Sequence, residues 1–185
     1  MLLAFAVARS MGSGTISGFD TTRFWQAAAL RAVTARRLAR KVDPGSLGET
    51  FTASLLQDMA VPVLAHARGK PYVELHAQWR SDGGDLAALE QAELGWDHGY
   101  VGAAMAESWS FPDSLIESIS GHHAQSGPLP GAQLVSFMSD EAEPDLDRLV
   151  DAAEQAYGLQ ADEVRDVVAA AAQEADEIGR LFVGV

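Results

Sequence analysis

The stretch FTASLLQDMAVPVLAHARG, from Phe51 to Gly69, predicts a buried helix around which the remaining helices pack. Its large apolar residues recur every four positions and form one continuous stripe: Phe51, Leu55, Met59 and Val63. Pro62 lies inside this stretch, where it removes a backbone donor and clashes with the preceding turn. We therefore expect the helix to kink or break near Ala60.

An adjacent polar pair, Gln57 and Asp58, interrupts the apolar run. A carboxylate in so apolar a setting requires a hydrogen-bonding partner, a metal ion or access to water. The residues alone leave two interpretations open. In the first, Asp58 caps or hydrogen-bonds a neighbouring segment. In the second, Asp58 belongs to a functional site, because carboxylates in perturbing surroundings cluster at such sites.

The rest of the chain also has a helical pattern. Alanine is abundant and strand-type alternation is scarce. Asp20 and Asp97 occupy N-cap positions ahead of two helices. The segment from Arg31 to Lys41 carries five positive charges, which we interpret as a solvated helix face. The predicted fold is all-α, a single globular helical domain of about eight or nine helices.

Composition limits the classes of function that the chain can have. A length of 185 residues with 48% apolar content fits one domain spanning residues 1–185. The formal net charge of −13 argues against a nucleic-acid backbone or an anionic membrane surface as partner. Because there is no cysteine, disulfides and cysteine-based zinc sites are excluded. We expect a cytoplasmic protein without a targeting segment.

Four segments together resemble one known family. They are FWQAAALRAVTARRLA from Phe24 to Ala39, LLQDMA from Leu55 to Ala60, WDHGYVGAAMAESWSFP from Trp96 to Pro112, and the pair His122-His123. LLQDMA is similar to the LLHDIG motif of the HD superfamily of metal-dependent phosphohydrolases. The four segments in this order resemble the HDOD family, the HD-related output domain of bacterial signalling. The resemblance covers Met1 to Val185 and implies a helical domain of the HD-superfamily type.

The resemblance also implies a metal site that is degenerate in this chain. Enzymes of the HD superfamily hold divalent metals with His and Asp residues, and the metals activate water for attack on phosphate esters. Ala27 and Gln57 stand where the family pattern has histidines. The candidate residues of the degenerate pocket are Gln57, Asp58, His98, His122, His123 and Asp140. No catalytic residue and no cofactor are expected, although the surviving groups could hold one divalent ion loosely.

The implied function is that of a non-catalytic signal-transduction or regulatory module that acts through protein or ligand binding. Its partner would be a protein of a bacterial signalling pathway. The alternative is a divergent metal-dependent phosphohydrolase acting on a nucleotide or cyclic dinucleotide. That alternative needs a metal held by Asp58 and the surviving histidines, and it needs cationic groups for the phosphate. The nearest cations in sequence are Lys70 and Arg80.

A departure from the family pattern concerns the N-terminus. HDOD domains usually begin with additional helices ahead of the segment that starts here at Met1. We therefore expect a domain that is N-terminally shortened, with apolar surface uncovered on Met1 to Met11 and its neighbours. Because such patches are commonly buried by self-association, we predict a homodimer or a fold that depends on a partner.

Overall fold

Helix α1 (Thr21–Val42) is central to the fold in the computed structural model, which describes residues 16–124, 127–138 and 145–183. The carboxylate of Asp20 accepts a hydrogen bond from the backbone N–H of Arg23 at 2.9 Å, which confirms the predicted N-cap. Arg40 and Lys41 lie in the last turn, where positive charge complements the helix dipole. Pro44 follows the helix and begins a 3-10 turn, Pro44–Ser46.

Further helices follow α1 along the chain. They are α2 (Leu47–Leu56), α3 (Ala60–Arg68), α4 (Lys70–Asp82), α5 (Leu86–Leu94), α6 (His98–Ser108), α7 (Asp113–Ser120), α8 (Pro130–Leu134), α9 (Leu146–Tyr157) and α10 (Ala161–Val183). Counting α1, nine helices in the described ranges have eight or more residues, and these ranges contain no strand. The predicted all-α class is confirmed.

The stretch from Phe51 to Gly69 forms two helices, α2 and α3, rather than one. Between them the chain makes a tight turn, in which the backbone N–H of Val61 donates to the carbonyl of Asp58 at 2.9 Å. In a continuous helix the carbonyl of Asp58 would accept from the N–H of residue 62, but Pro62 has no N–H. The bond from Val61 satisfies that carbonyl instead. The predicted break near Ala60 is confirmed, and it places Asp58 at a helix junction.

Two apolar clusters hold the helices against α1. The larger cluster joins the first half of α1 to α2, α3, α4 and α7, and it buries Phe24, Phe51 and Leu55. The smaller cluster joins the end of α1 to α8, α9 and the first half of α10 through residues such as Leu38 and Leu149. Helix α10 packs along α1, and α6 packs on α7. This packing brings the α2–α3 junction close to the start of α6 and the end of α7.

Some sequence predictions concern residues that the structure does not describe. Met1 to Met11 and Asp140 lie outside the described residues, so the expectations about them stay predictions. Within the described ranges, no helix combines the length and the apolar character needed to cross a membrane.

Candidate functional site

A pocket of about 440 Å³ lies above the α2–α3 junction. Its walls include four aromatic or imidazole rings: Phe24, His76, Trp79 and Phe137. It also includes four of the residues that the sequence singled out: Asp58, His98, His122 and His123. The lining also includes charged residues at the starts of two helices: Asp85 at α5, and Asp145 and Arg148 at α9.

Asp58 lies at the centre of the polar contacts in this pocket. Its Oδ2 accepts a hydrogen bond from Arg31 Nη1 at 2.6 Å. Its Oδ1 lies 3.0 Å from His122 Nε2 and 3.3 Å from His98 Nε2. Burial alone would raise the pKa of Asp58, but the Arg31 guanidinium and the two imidazoles hold it well below the usual value. The carboxylate is therefore ionised throughout the neutral range.

Arg31 is buried beneath the pocket, with 1% of its surface exposed. Besides the bond to Asp58, its Nε donates to the carbonyl of Ser54 at 2.7 Å and its Nη1 donates to the carbonyl of Met138 at 2.7 Å. The interpretation of Arg31 to Lys41 as a solvated face is therefore wrong at its first residue. Arg31 is retained inside because it has a carboxylate and carbonyls to bind, as a buried charge requires.

His98 opens α6, directly after Asp97, whose side chain caps the helix by accepting from Tyr100 N–H at 2.8 Å. Glu90 Oε2 lies 2.7 Å from both the backbone nitrogen and the Nδ1 of His98. Tyr72 donates its hydroxyl to the other oxygen of the fully buried Glu90. Burial opposes a charge on His98, but hydrogen bonds to Asp58 and Glu90 outweigh it and raise its pKa to about 10. His98 is an imidazolium at neutral pH.

His122 and His123 follow the end of α7 at Gly121. His122 Nδ1 donates a hydrogen bond to the carbonyl of Ile119 at 2.6 Å, since a carbonyl oxygen can only accept, and its Nε2 faces Asp58. His123 Nε2 lies 2.8 Å from His98 Nε2, and one of the two must donate. Burial and the neighbouring histidines lower the pKa of His123 to about 4, so the cationic His98 donates to the neutral His123.

The two positions where the family pattern has histidines, Gln57 and Ala27, do not line the pocket. Gln57 donates its side-chain amide to the carbonyl of Ser136 at 2.8 Å and lines a second, smaller cavity behind His122. Ala27 is not among the residues that line the pocket. Asp140 lies outside the described residues. The structure thus brings together Asp58 and three histidines, and it separates Gln57 from them.

The pocket can be tested for its fit to the metals that the HD superfamily uses. One ring nitrogen each of His98, His122 and His123 lies within 4.8 Å of the others, which suits a common ion. However, Arg31 occupies Asp58 Oδ2, and His98 carries protons on both nitrogens. These residues do not fit a metal pair. They offer ligands for at most one ion, which would bind only after His98 loses a proton.

Sequence reasoning missed Arg31, Glu90 and Tyr72. A signal for Arg31 was present, because it lies seven residues after Phe24 and so falls on the packing face of α1. Glu90 lies four residues after the buried Leu86, on the inner side of α5. A charge at a position with core spacing indicates a buried ion partner, and both residues meet that criterion.

Comparison with known proteins supplies a family and a fold. The family model of the HDOD domain matches residues 1–125, so the resemblance predicted from the four motifs is confirmed. A solved structure from Shewanella amazonensis SB2B, named “Putative phosphohydrolase”, is 20% identical, with a TM-score of 0.75 over 98% of this chain and 70% of its own. An HDOD domain protein with unknown function from Geobacter sulfurreducens is 16% identical, with a TM-score of 0.67 over 96% of this chain and 66% of its own. No curated protein matches the sequence.

Proposed function

Because the chain belongs to the HDOD domain family, we propose that it is a non-catalytic regulatory module that works by binding a protein or a small ligand, without a metal pair. The ion pair between Arg31 Nη1 and Asp58 Oδ2, at 2.6 Å, carries this proposal. In a metal site, the ion neutralises the carboxylate. Here a guanidinium does so, and a guanidinium stays charged at every physiological pH.

The charges of the pocket floor also balance without a metal. Arg31 and His98 are cationic, and Asp58 and Glu90 are anionic, so the four buried groups sum to zero. A divalent cation added here would leave two uncompensated positive charges unless protons were released. Burying unpaired charge is costly, and metal affinity at neutral pH is therefore low.

The charges of the pocket mouth disfavour a phosphate-rich substrate. Among the described lining residues, Arg148 is the one cation other than the histidines, and its guanidinium lies over the Phe137 ring, 4.3 Å from the ring centroid. Asp85 and Asp145 line the same pocket. With a net charge of −13 on the whole chain, these carboxylates repel polyanions.

The size and the walls of the pocket suit a bound molecule. Ligand pockets of proteins have volumes of roughly 300–1,000 Å³ and apolar or aromatic walls with a few polar groups. The cavity of about 440 Å³, with Phe24, Trp79 and Phe137 in its wall, meets this description. If the module has two conformations, a ligand or a partner's side chain that binds one of them more tightly would increase the population of that conformation. The change in conformation would transmit the signal.

We further propose that the module acts in the bacterial cytoplasm on a protein of a signalling pathway, and that it forms a homodimer. The support for the homodimer is the apolar sequence of the segment from Met1 to Met11, since apolar segments that are left exposed are commonly buried by self-association. Sedimentation velocity at micromolar concentration checks this, and a monomer that binds no dye specific for exposed apolar surface would contradict it.

A second candidate function is that of a divergent metal-dependent phosphohydrolase, because three histidine nitrogens lie within 4.8 Å beside Asp58. A bound divalent ion would supply an activated water and polarise a phosphoryl oxygen. In this chain His122 and His123 would bind the ion, and the carboxylate of Asp58 would lie beside it. Lys70 and Arg80, the cations nearest in sequence, are not lining residues of the pocket.

Metal content decides between the two functions. The purified protein is exposed to Mn²⁺, Fe²⁺ or Zn²⁺, desalted and measured by elemental analysis, with thermal stability and phosphoester hydrolysis followed in parallel. The proposal predicts metal at background level, no thermal stabilisation and no hydrolysis. His123→Ala tests the pocket, and His66→Ala, which removes an exposed histidine outside it, is the matched control.

The opposite result would establish the phosphohydrolase. It consists of near-stoichiometric metal that is lost in His123→Ala and kept in His66→Ala, together with hydrolysis that follows the metal. If the wild-type protein binds metal but hydrolyses no phosphoester, the conclusion is a regulatory module that senses the ion.

A further inference from the structure

One wall of the large pocket is a row of rings that contact one another. His76 lies between Phe19 and Trp79, with ring centroids 5.1 and 5.2 Å away. Phe24 continues the row from Phe19, at 5.9 Å. Three of these rings, Phe24, His76 and Trp79, line the cavity. We call this row the ring wall, and it offers an occupant a continuous aromatic surface.

Asp85 lies beside both the ring wall and the imidazoles of the pocket. Trp79 Nε1 donates to the carbonyl of Gly84, the residue directly before Asp85, at 3.1 Å. Asp85 Oδ1 also lies 3.7 Å from His123 Nδ1. Within the described residues, no lysine or arginine forms an ion pair with Asp85, whose side chain is 57% exposed. Its carboxylate is therefore open to a cation that enters the pocket.

The other charged groups of the lining leave an excess of negative charge. Asp58 already has Arg31 as its partner, at 2.6 Å. Asp145 accepts from the backbone N–H of Arg148 at 3.0 Å, and no lysine or arginine of the described residues forms an ion pair with it. The guanidinium of Arg148 lies over the Phe137 ring, 4.3 Å from its centroid. Two carboxylates, from Asp85 and Asp145, thus accompany one guanidinium at the pocket mouth.

We propose that the pocket binds a small organic cation, an amine with an aromatic or apolar body, whose charged end binds at Asp85 beside Trp79. Asp145 adds to the negative potential there, and the body packs on the ring wall. The cavity of about 440 Å³ is large enough for such a molecule. This inference rests on the proposed function, since it names the class of ligand that the regulatory module binds.

Three probes with the same indole ring separate the charge of a ligand from its shape. Tryptamine carries an ammonium group, tryptophol a neutral hydroxyl and indole-3-propionate a carboxylate. Isothermal titration calorimetry of the wild-type protein is carried out in about 0.15 M salt, which screens the long-range attraction of the net charge of −13. The Kd of tryptamine should be about three- to tenfold lower than that of tryptophol, and that of indole-3-propionate should be the highest.

Asp85→Asn tests where the charged end binds. Asparagine keeps the cap to the N–H of Ala87, so the variant should fold, but it lacks the negative charge. The Kd of tryptamine should rise to about that of tryptophol, whose own Kd should not change. Asp113→Asn is the matched control, because Asp113 is an exposed aspartate at the start of α7 and does not line the pocket. It changes the net charge equally and should leave all three Kd values unchanged.

Each other outcome contradicts a different part of the proposal. Tryptophol or indole-3-propionate bound as tightly as tryptamine would overturn the preference for a cation and leave the regulatory module standing. A preference for tryptamine that persists in Asp85→Asn, or that is lost equally in Asp113→Asn, would overturn the role of Asp85. If no probe binds at up to about 10 mM, the pocket is not a site for small amines, and protein binding is left as the proposed function. Metal-dependent hydrolysis, by contrast, would refute the proposed function itself, whichever probe binds.

Discussion

Asp58 is contacted from two sides, an imidazole side and an arginine side, which hold charge in different ways. On one side, α6 and the end of α7 bring three imidazoles, from His98, His122 and His123, whose protonation can change. On the other side, α1 brings Arg31, whose charge is permanent. Both sides contact the same carboxylate, Asp58. The difference shows how a site can retain histidines that could bind a metal while a permanent cation already neutralises the carboxylate that a metal would otherwise need.

The two sides also differ in how firmly they are held. Arg31 is tied to Asp58 and to two backbone carbonyls on different segments, so it fixes the α2–α3 junction and the chain after α8. His123, by contrast, has 30% of its side chain exposed. We therefore expect the arginine side to contribute mainly stability, and the imidazole side to contribute pH dependence.

Replacing Arg31 has the largest expected effect. Arg31→Met removes the guanidinium partner of Asp58 in a mostly buried site, together with two hydrogen bonds to backbone carbonyls. Removing one partner of a buried ion pair costs about 3–5 kcal/mol, which is the expected fall in the free energy of unfolding by urea. Arg40→Met is the control, because Arg40 is exposed on the same helix, and it should change stability by less than about 0.5 kcal/mol.

The double variant Arg31→Met/Asp58→Asn sharpens this test. It removes both charges, so it should recover part of the lost stability. If Arg31→Met alone unfolds with wild-type stability, the ion pair does not organise the pocket, and the proposed replacement of a metal by Arg31 fails with it.

The imidazole side should give the protein a stability maximum near pH 6.5. Between pH 6.5, the usual pKa of an unfolded histidine, and about 10, folded His98 binds a proton that the unfolded chain releases, so stability falls as pH rises. Burial lowers the folded pKa of His76 and His123 to about 4, so stability also falls as pH drops from 6.5 to about 4. From pH 6.5 to 8 the expected loss is about 1.5–2 kcal/mol.

His98→Gln separates the two arms of this profile. In His98→Gln the free energy of unfolding should no longer fall as pH rises above 6.5, but it should still fall as pH drops below 6.5. His66→Gln, at an exposed position of α3, should show both losses of stability. Unfolding by urea at a series of pH values measures the profile. A wild-type alkaline arm in His98→Gln would show that His98 is not held as a cation by Asp58 and Glu90.

Local features of the fold could be predicted from the sequence. The caps at Asp20 and Asp97 and the break before Pro62 follow from rules that involve only a few neighbouring residues. The all-α class follows from composition and periodicity in the same way. The family resemblance then placed Asp58 near three histidines that are 40 or more residues away in sequence.

The network that holds the pocket together could not be predicted so easily. The burial of Arg31 depends on contacts with Ser54 and Met138, which are 23 and 107 residues away along the chain. Gln57 was expected in the pocket because it stands where the family motif has a histidine, but its side-chain amide donates to the carbonyl of Ser136 instead. Neighbouring residues in a turn can face different cavities, and no sequence pattern distinguishes that case from a shared pocket.

Asp85→Asn tests the outer edge of the imidazole side and has the smallest expected effect. Asp85 Oδ1 lies 3.7 Å from His123 Nδ1, too far for a hydrogen bond, and its side chain is 57% exposed. At pH 7 His123 is neutral, because its pKa is lowered to about 4, so no ion pair exists to break. Asparagine also keeps the cap that Asp85 provides to the N–H of Ala87.

The free energy of unfolding at pH 7 should therefore change by less than about 0.5 kcal/mol in Asp85→Asn. At pH 3.5, where part of the His123 population is protonated, the variant should lose slightly more stability, within the range of about 0–1 kcal/mol of an exposed pair. A larger loss at pH 7 than at pH 3.5 would mean that His123 is already charged at neutral pH. In that case the proton between His98 Nε2 and His123 Nε2 would belong to His123 rather than to His98. The imidazole side would then be held by an ion pair, as the arginine side is.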